Sequence, residues 1–219
     1  MLNFKPDNMT KAKETLVISA PKFSTLAIEI EGTAPYMQCR FSEKTKEGLI
    51  GKMEAGSTAK SKKGKEARNF EADYLAAMHV SDEGWVGIPA AAFRNACIDA
   101  CRMVGYTMTR AKMSVFVEAD SLDEIDGSGL IRITGGEPER STMVVRIQQT
   151  TDIRPRPMWR KWGATVRIRY DEDQFTAEDV VNLLLRAGQQ VGIGEGRPYS
   201  KTSNGLGFGL FKIKNVSNV

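Results

Sequence analysis

Hydrophobic and polar positions change period several times along the chain, and each change marks an element. Phe23–Glu31 alternates imperfectly and predicts a strand. Glu66–Met78 has helical character. Trp85-Val-Gly-Ile-Pro89 reads as a short strand running into a helix, with Pro89 in the first turn, where a missing N–H costs little. Phe93, Ala96, Cys97, Ala100, Cys101 and Val104 recur at helical spacing and make one apolar face, with Gly105 as the residue that ends it. Strands are then predicted at Lys112–Glu118, Leu130–Thr134, Met143–Gln149 and Ala164–Tyr170. The last two alternate well and carry arginines on one face. Thr176-Ala-Glu-Asp179 has the form of a capping box and opens a helix through Leu183, Leu184 and Ala187 to Gly188. Leu206–Ile213 predicts a final strand. The order strand, insertion, helix, strands, helix, strand implies an α+β protein with a βαββαβ core and an elaborated antiparallel sheet. With no repeat and no linker, 1–219 reads as one domain.

Composition narrows the class. The chain has 219 residues, 41% apolar and 26% charged, which is globular and not disordered. No run approaches the roughly 18 apolar residues of a membrane span. Met1–Thr10 lacks the apolar core of a signal peptide. Three cysteines, Cys39, Cys97 and Cys101, are too few and too odd for a disulfide framework, so the expected setting is reducing and cytoplasmic. There is one histidine, His79, which excludes a multi-histidine metal site within one chain. The predicted protein carries no metal and no cofactor.

Net charge is only +4, but it is unevenly spread. Arg40–Phe70 has nine basic and four acidic side chains, and Arg132–Arg169 has nine against three. The rest of the chain is net acidic. The middle of the first segment, Gly56-Ser-Thr-Ala-Lys-Ser-Lys-Lys-Gly64, is too polar to offset its ordering entropy. An insertion at about 42–69 is therefore expected as a flexible, basic loop.

Individual motifs carry different weights. Cys97 and Cys101 lie one helical turn apart on the apolar face and read as core. His79 has no recognisable nucleophile motif and no carboxylate placed to orient it. Gly192-Ile-Gly194-Glu-Gly196 follows a helix, which is the wrong context for a dinucleotide fingerprint. Its backbone N–H groups, with Arg197 and Lys201 nearby, still suit phosphate. Arg154-Pro-Arg-Pro-Met-Trp-Arg-Lys-Trp162 joins arginines that pair with phosphate to tryptophans on which bases stack.

Two segments resemble the RAMP superfamily, the RRM-like proteins that include backbone subunits of CRISPR effector complexes. Gly87-Ile-Pro-Ala-Ala-Ala-Phe-Arg-Asn-Ala-Cys-Ile-Asp-Ala-Cys-Arg102 is similar to that family's strand-to-helix signature, with Ala90, Ala91 and Ala92 where glycine and serine are common. Ala187-Gly188, Gly192-Ile-Gly194 and Gly205-Leu-Gly-Phe-Gly209 are similar to its glycine-rich loop before the last strand. The resemblance implies an RRM-like, ferredoxin-like fold that binds a single strand, often as many subunits in a helical row. It also implies an insertion after the first strand that reaches over the nucleic acid, and it adds CRISPR effector subunits as candidate partners, beside a stand-alone phage or mobile-element role.

The expected function is non-catalytic binding of single-stranded RNA or DNA, with copies assembling head to tail. Lys44, Lys46, Lys52, Lys60, Lys62, Lys63, Lys65 and Arg68 would contact phosphates. Arg154, Arg156, Arg160 and Lys161 would line the groove, Trp159 or Trp162 would stack a base, and Arg197 and Lys201 would hold the backbone. Two alternatives stay open: a metal-independent endoribonuclease with His79 or a tyrosine as general base, and a protein-interaction module mimicking a CRISPR subunit.

Overall fold

The computed structural model describes residues 18–41, 43–54, 56, 68–147, 150–200 and 205–218. The elements in chain order are β1 (Phe23–Gly32), β2 (Tyr36–Met37), α1 (Glu43–Glu54), α2 (Phe70–Leu75), β3 (Gly87–Pro89), α3 (Ala90–Ala100), α4 (Met108–Ser114), β4 (Val115–Glu118), β5 (Ser121–Leu122), β6 (Gly129–Arg132), β7 (Glu139–Ile147), β8 (Thr150–Trp159), β9 (Gly163–Asp171), α5 (Ala177–Arg186) and β10 (Phe211–Asn218). The protein is mixed α and β, and its named strands pair antiparallel throughout.

The central sheet has four strands in the order β10-β1-β9-β4. The chain visits it as strand, helix, strand, strand, helix, strand, through α3 and α5. Period-two alternation sends Leu26, Ile28 and Ile30 to the same face as Ile168, Val166 and Ala164, their register partners. These pack with Phe93 and Cys97 of α3 and Leu183 and Leu184 of α5 in one buried cluster. The two helices start differently, α3 without a side-chain cap and α5 with one. Pro89 precedes α3, and the Thr176–Asp179 capping box opens α5 with its reciprocal hydrogen bonds. Gly105 ends the 3-10 turn after α3 in the left-handed region, with φ 68°.

The extra strands do not widen this sheet. They form two separate three-stranded sheets, β2-β8-β7 and β3-β6-β5. Four element expectations are corrected. Lys112–Glu118 is not one strand, because Lys112, Met113 and Ser114 close the short helix α4 before β4 starts at Val115. The last strand starts at Phe211 and not Leu206, since Gly205, Gly207 and Gly209 all take positive φ. Helix α2 is only Phe70–Leu75, begun by the Asn69 side chain accepting from Glu71 and Ala72 N–H. The insertion expected to be loop contains α1 at Glu43–Glu54.

The insertion has a closed root. Arg40 N–H donates to the Ala77 carbonyl at 3.1 Å, so the chain leaves and re-enters the fold at adjacent points.

Candidate nucleic-acid interface

A cavity of about 540 Å³ lies between α3, the strand end Tyr36–Cys39, the loop after α5 and Arg154 of β8. Helix α3 presents it a second stripe, Ala92, Asn95, Ala96 and Asp99, at the spacing of one helix face. The loop enters through one turn of π-helix, Ala187–Val191, closed by Gly192 N–H on the Ala187 carbonyl at 2.8 Å. It then passes Ile193, Gly194 and Glu195 along the wall.

The loop is held by three segments. Glu195 N–H donates to the Met37 carbonyl at 2.9 Å, and Ile193 N–H to the Gly209 carbonyl at 3.1 Å. Gly209 N–H donates to the Pro35 carbonyl at 2.7 Å. Arg197 Nη1 folds back on the Gly194 carbonyl at 3.0 Å. Arg156 Nε reaches Glu195 Oε2 at 2.8 Å, tying β8 to the loop.

Much of the cavity's polar lining is already committed. Gln38 Nε2 donates to the Gly87 carbonyl at 2.6 Å and to the Tyr36 hydroxyl at 3.2 Å, and its Oε1 accepts from His79 N–H at 3.1 Å. The Cys39 thiol is pushed up by burial first, with the Glu195 carboxylate adding to the rise and the Arg156 guanidinium opposing it. Cys97 and Cys101 are buried in the core, and burial pushes the Cys97 thiol to about 12.

His79 also lines the cavity, and a carboxylate does orient it. Asp123, whose side chain is 0% exposed, accepts Arg40 Nη2 at 2.8 Å and stands 3.0 Å from His79 Nδ1. It further accepts the N–H groups of Ile125 at 3.0 Å and Asp126 at 3.4 Å. One buried carboxylate thus holds both ends of the insertion. The cluster is incomplete at one atom, since Arg40 Nε is buried without a partner.

The sequence-predicted basic site residues fall into four groups. Arg154 and Arg197 line the cavity together. Arg156 is tied to Glu195, while Arg160 and Lys161 are exposed in the turn after β8, with Arg160 Nε on Glu139 Oε2 at 2.8 Å. On the insertion, Lys44, Lys46 and Lys52 lie on α1, and Arg68 Nε bonds Asp73 Oδ2 at 2.6 Å. Lys60, Lys62, Lys63, Lys65 and Lys201 lie outside the described residues.

Trp159 and Trp162 need correction. They are only 1% and 3% exposed and flank Tyr36, with ring centroids 5.7 and 5.3 Å away. Their indole N–H groups donate to the carbonyls of Gly136 at 3.1 Å and Ala34 at 2.8 Å. No base can stack on them, and they serve the core. The basic excess of 132–169 is also smaller in space than along the chain. Arg140, Arg156, Arg160, Arg167 and Arg169 each face a carboxylate, on Glu71, Glu195, Glu139, Asp120 and Glu118.

Compared with known proteins, the chain matches no family model and no curated protein sequence. The site is therefore read from its own chemistry. Asn95, Asp99 and Asp123 escaped the sequence reading. The i, i+3, i+4, i+7 stripe of α3 was present there as a signal, whereas Asp123 is joined to His79 only by the fold.

Proposed function

We propose that the chain is a non-catalytic binding protein for single-stranded RNA or DNA, with copies arranged head to tail along the strand. One observation carries the reading. Arg154 on β8 and the glycine-rich loop with Arg197 are far apart in sequence, each carry groups suited to phosphate, and line one cavity. Pro89 and Ala92, from the other segment that resembles the RAMP superfamily, line it too. The sheet order β10-β1-β9-β4 with two crossing helices is what an RRM-like, ferredoxin-like core would have, which supports the same resemblance. The basic insertion with Lys44, Lys46 and Lys52 roots beside the cavity through Arg40 and His79 and would close over the strand. The net-acidic remainder of the chain complements the basic segments of a neighbouring copy.

A salt titration tests this. Affinity for a fluorescent single-stranded oligonucleotide is expected to fall steeply with salt, by roughly 0.7 in log–log slope per phosphate neutralised. The double variant Arg154→Ala/Arg197→Ala is expected to lower that slope by about 1.4. A flat salt response in the unsubstituted protein rules the reading out.

The Asp123–His79 pair favours a second reading, a metal-independent endoribonuclease. A carboxylate on Nδ1 fixes the imidazole and leaves Nε2 to accept a proton. Cleavage of single-stranded RNA in the presence of a chelator, lost in His79→Gln with binding retained, would favour it. RNA left intact after long incubation would remove it.

A further inference from the structure

We propose that the cavity beside α3 is a pocket for a single base of the bound strand and that Asn95 and Asp99 select guanine; the proposal rests on the strand-binding reading above. The cavity, about 540 Å³, falls inside the roughly 300–1,000 Å³ range of small-molecule sites. Part of its lining is apolar, with Ala92 and Ala96 from α3 and Val191 and Ile193 from the loop, which suits the flat face of a base. Arg154 and Arg197 also line the cavity and would take the flanking phosphates.

Selectivity follows from which polar groups remain available. Gln38 is consumed by Tyr36, Gly87 and His79, and Glu195 is held by Arg156. His79 Nδ1 is committed to Asp123. Among the described residues, the side chains of Asn95 and Asp99 have no hydrogen-bond partner, although both residues line the cavity. They are i and i+4 on one helix, so their Cβ atoms sit about 5–6 Å apart on the same face.

An ionised carboxylate only accepts hydrogen bonds. Guanine is the base whose Watson–Crick edge offers two adjacent donors, N1–H and the N2 amino group, and a carboxylate accepts both at once. Its neighbouring O6 takes a hydrogen bond from the Asn95 amide. Adenine and cytosine each set one amino group beside a ring-nitrogen lone pair, which the carboxylate repels. Uracil and thymine flank a single N–H with two carbonyls. A strand that is already unpaired yields one base to the pocket at small cost.

The test compares four fluorescent decamers of uracil that carry G, A, C or U at one central position, in ribose and deoxyribose form. The guanine strand is expected to bind at least tenfold tighter than the others. Asp99→Asn, an isosteric change, is expected to bring the four affinities within twofold of one another. Asn95→Ala is expected to narrow the preference in the same direction. Free 5′-GMP at millimolar concentration should compete only against the guanine strand's advantage. Equal affinity for all four strands with normal salt dependence overturns the base pocket and leaves general strand binding standing. Failure to bind any strand overturns both. Displacement of every strand by GMP alone marks a free-nucleotide site and overturns the base pocket.

Discussion

Replacing Asp123 with alanine is expected to lower the unfolding free energy by about 3–5 kcal/mol, because it strands a buried cation. Arg40 has a side chain only 5% exposed, and Asp123 is its close carboxylate at 2.8 Å. Asp126 stands farther off, at 3.9 Å and partly exposed. The substitution also releases His79 and two backbone N–H groups. Arg40→Met removes the charge and keeps the volume, so the double variant Asp123→Ala/Arg40→Met should recover much of the loss. Urea unfolding followed through the buried Trp159 and Trp162 reads all three variants. A loss below about 1 kcal/mol in Asp123→Ala would mean that Arg40 finds Asp126 instead, and that the buried pair is not what holds the insertion's root.

Gly209→Ala is expected to cost about 3 kcal/mol or more and to loosen the loop that walls the cavity. Two effects add. The residue has φ 68°, where an L side chain costs about 1–2 kcal/mol. A Cβ there would also come within 1.8 Å of the Ile193 carbonyl oxygen, which belongs to backbone and has no rotamer to yield. Gly207→Ala is the control, since it shares a positive φ of 78° and meets nothing within 4 Å. The difference between the two variants in thermal unfolding isolates the contact from the backbone strain. Equal losses would mean that the loop shifts freely, and that Gly209 does not clamp it between β2 and β10.

The legible parts of the fold were those with local signals. Pro89 ahead of an apolar stripe and the Thr176–Asp179 box each announce a helix within a few residues. Helix α4 escaped because it has seven residues and no side-chain cap, and it runs straight into Val115-Phe-Val. The two tryptophans were misread because composition carries no direction. Period two along β8 would have corrected Trp159, since Arg154 and Arg156 share one face and Pro155, Pro157 and Trp159 the other, buried one. The meeting of Arg154 with the glycine-rich loop, and of His79 with Asp123, depends on β8 and the β5 end being brought against distant segments. No window of sequence contains that.

The prolines of β8 bear on strand pairing. Gln38 N–H donates to the Pro157 carbonyl, so residue 157 turns its backbone polar groups towards β2 and away from β7. Pro155, two positions earlier, faces the same way. Along that margin β8 therefore offers carbonyls but no donor at either proline. An incoming strand would find half its hydrogen bonds missing, which is how natural sheets discourage fibril-like stacking. Any contact between two copies at this edge would therefore fall to side chains, which can be made and broken reversibly.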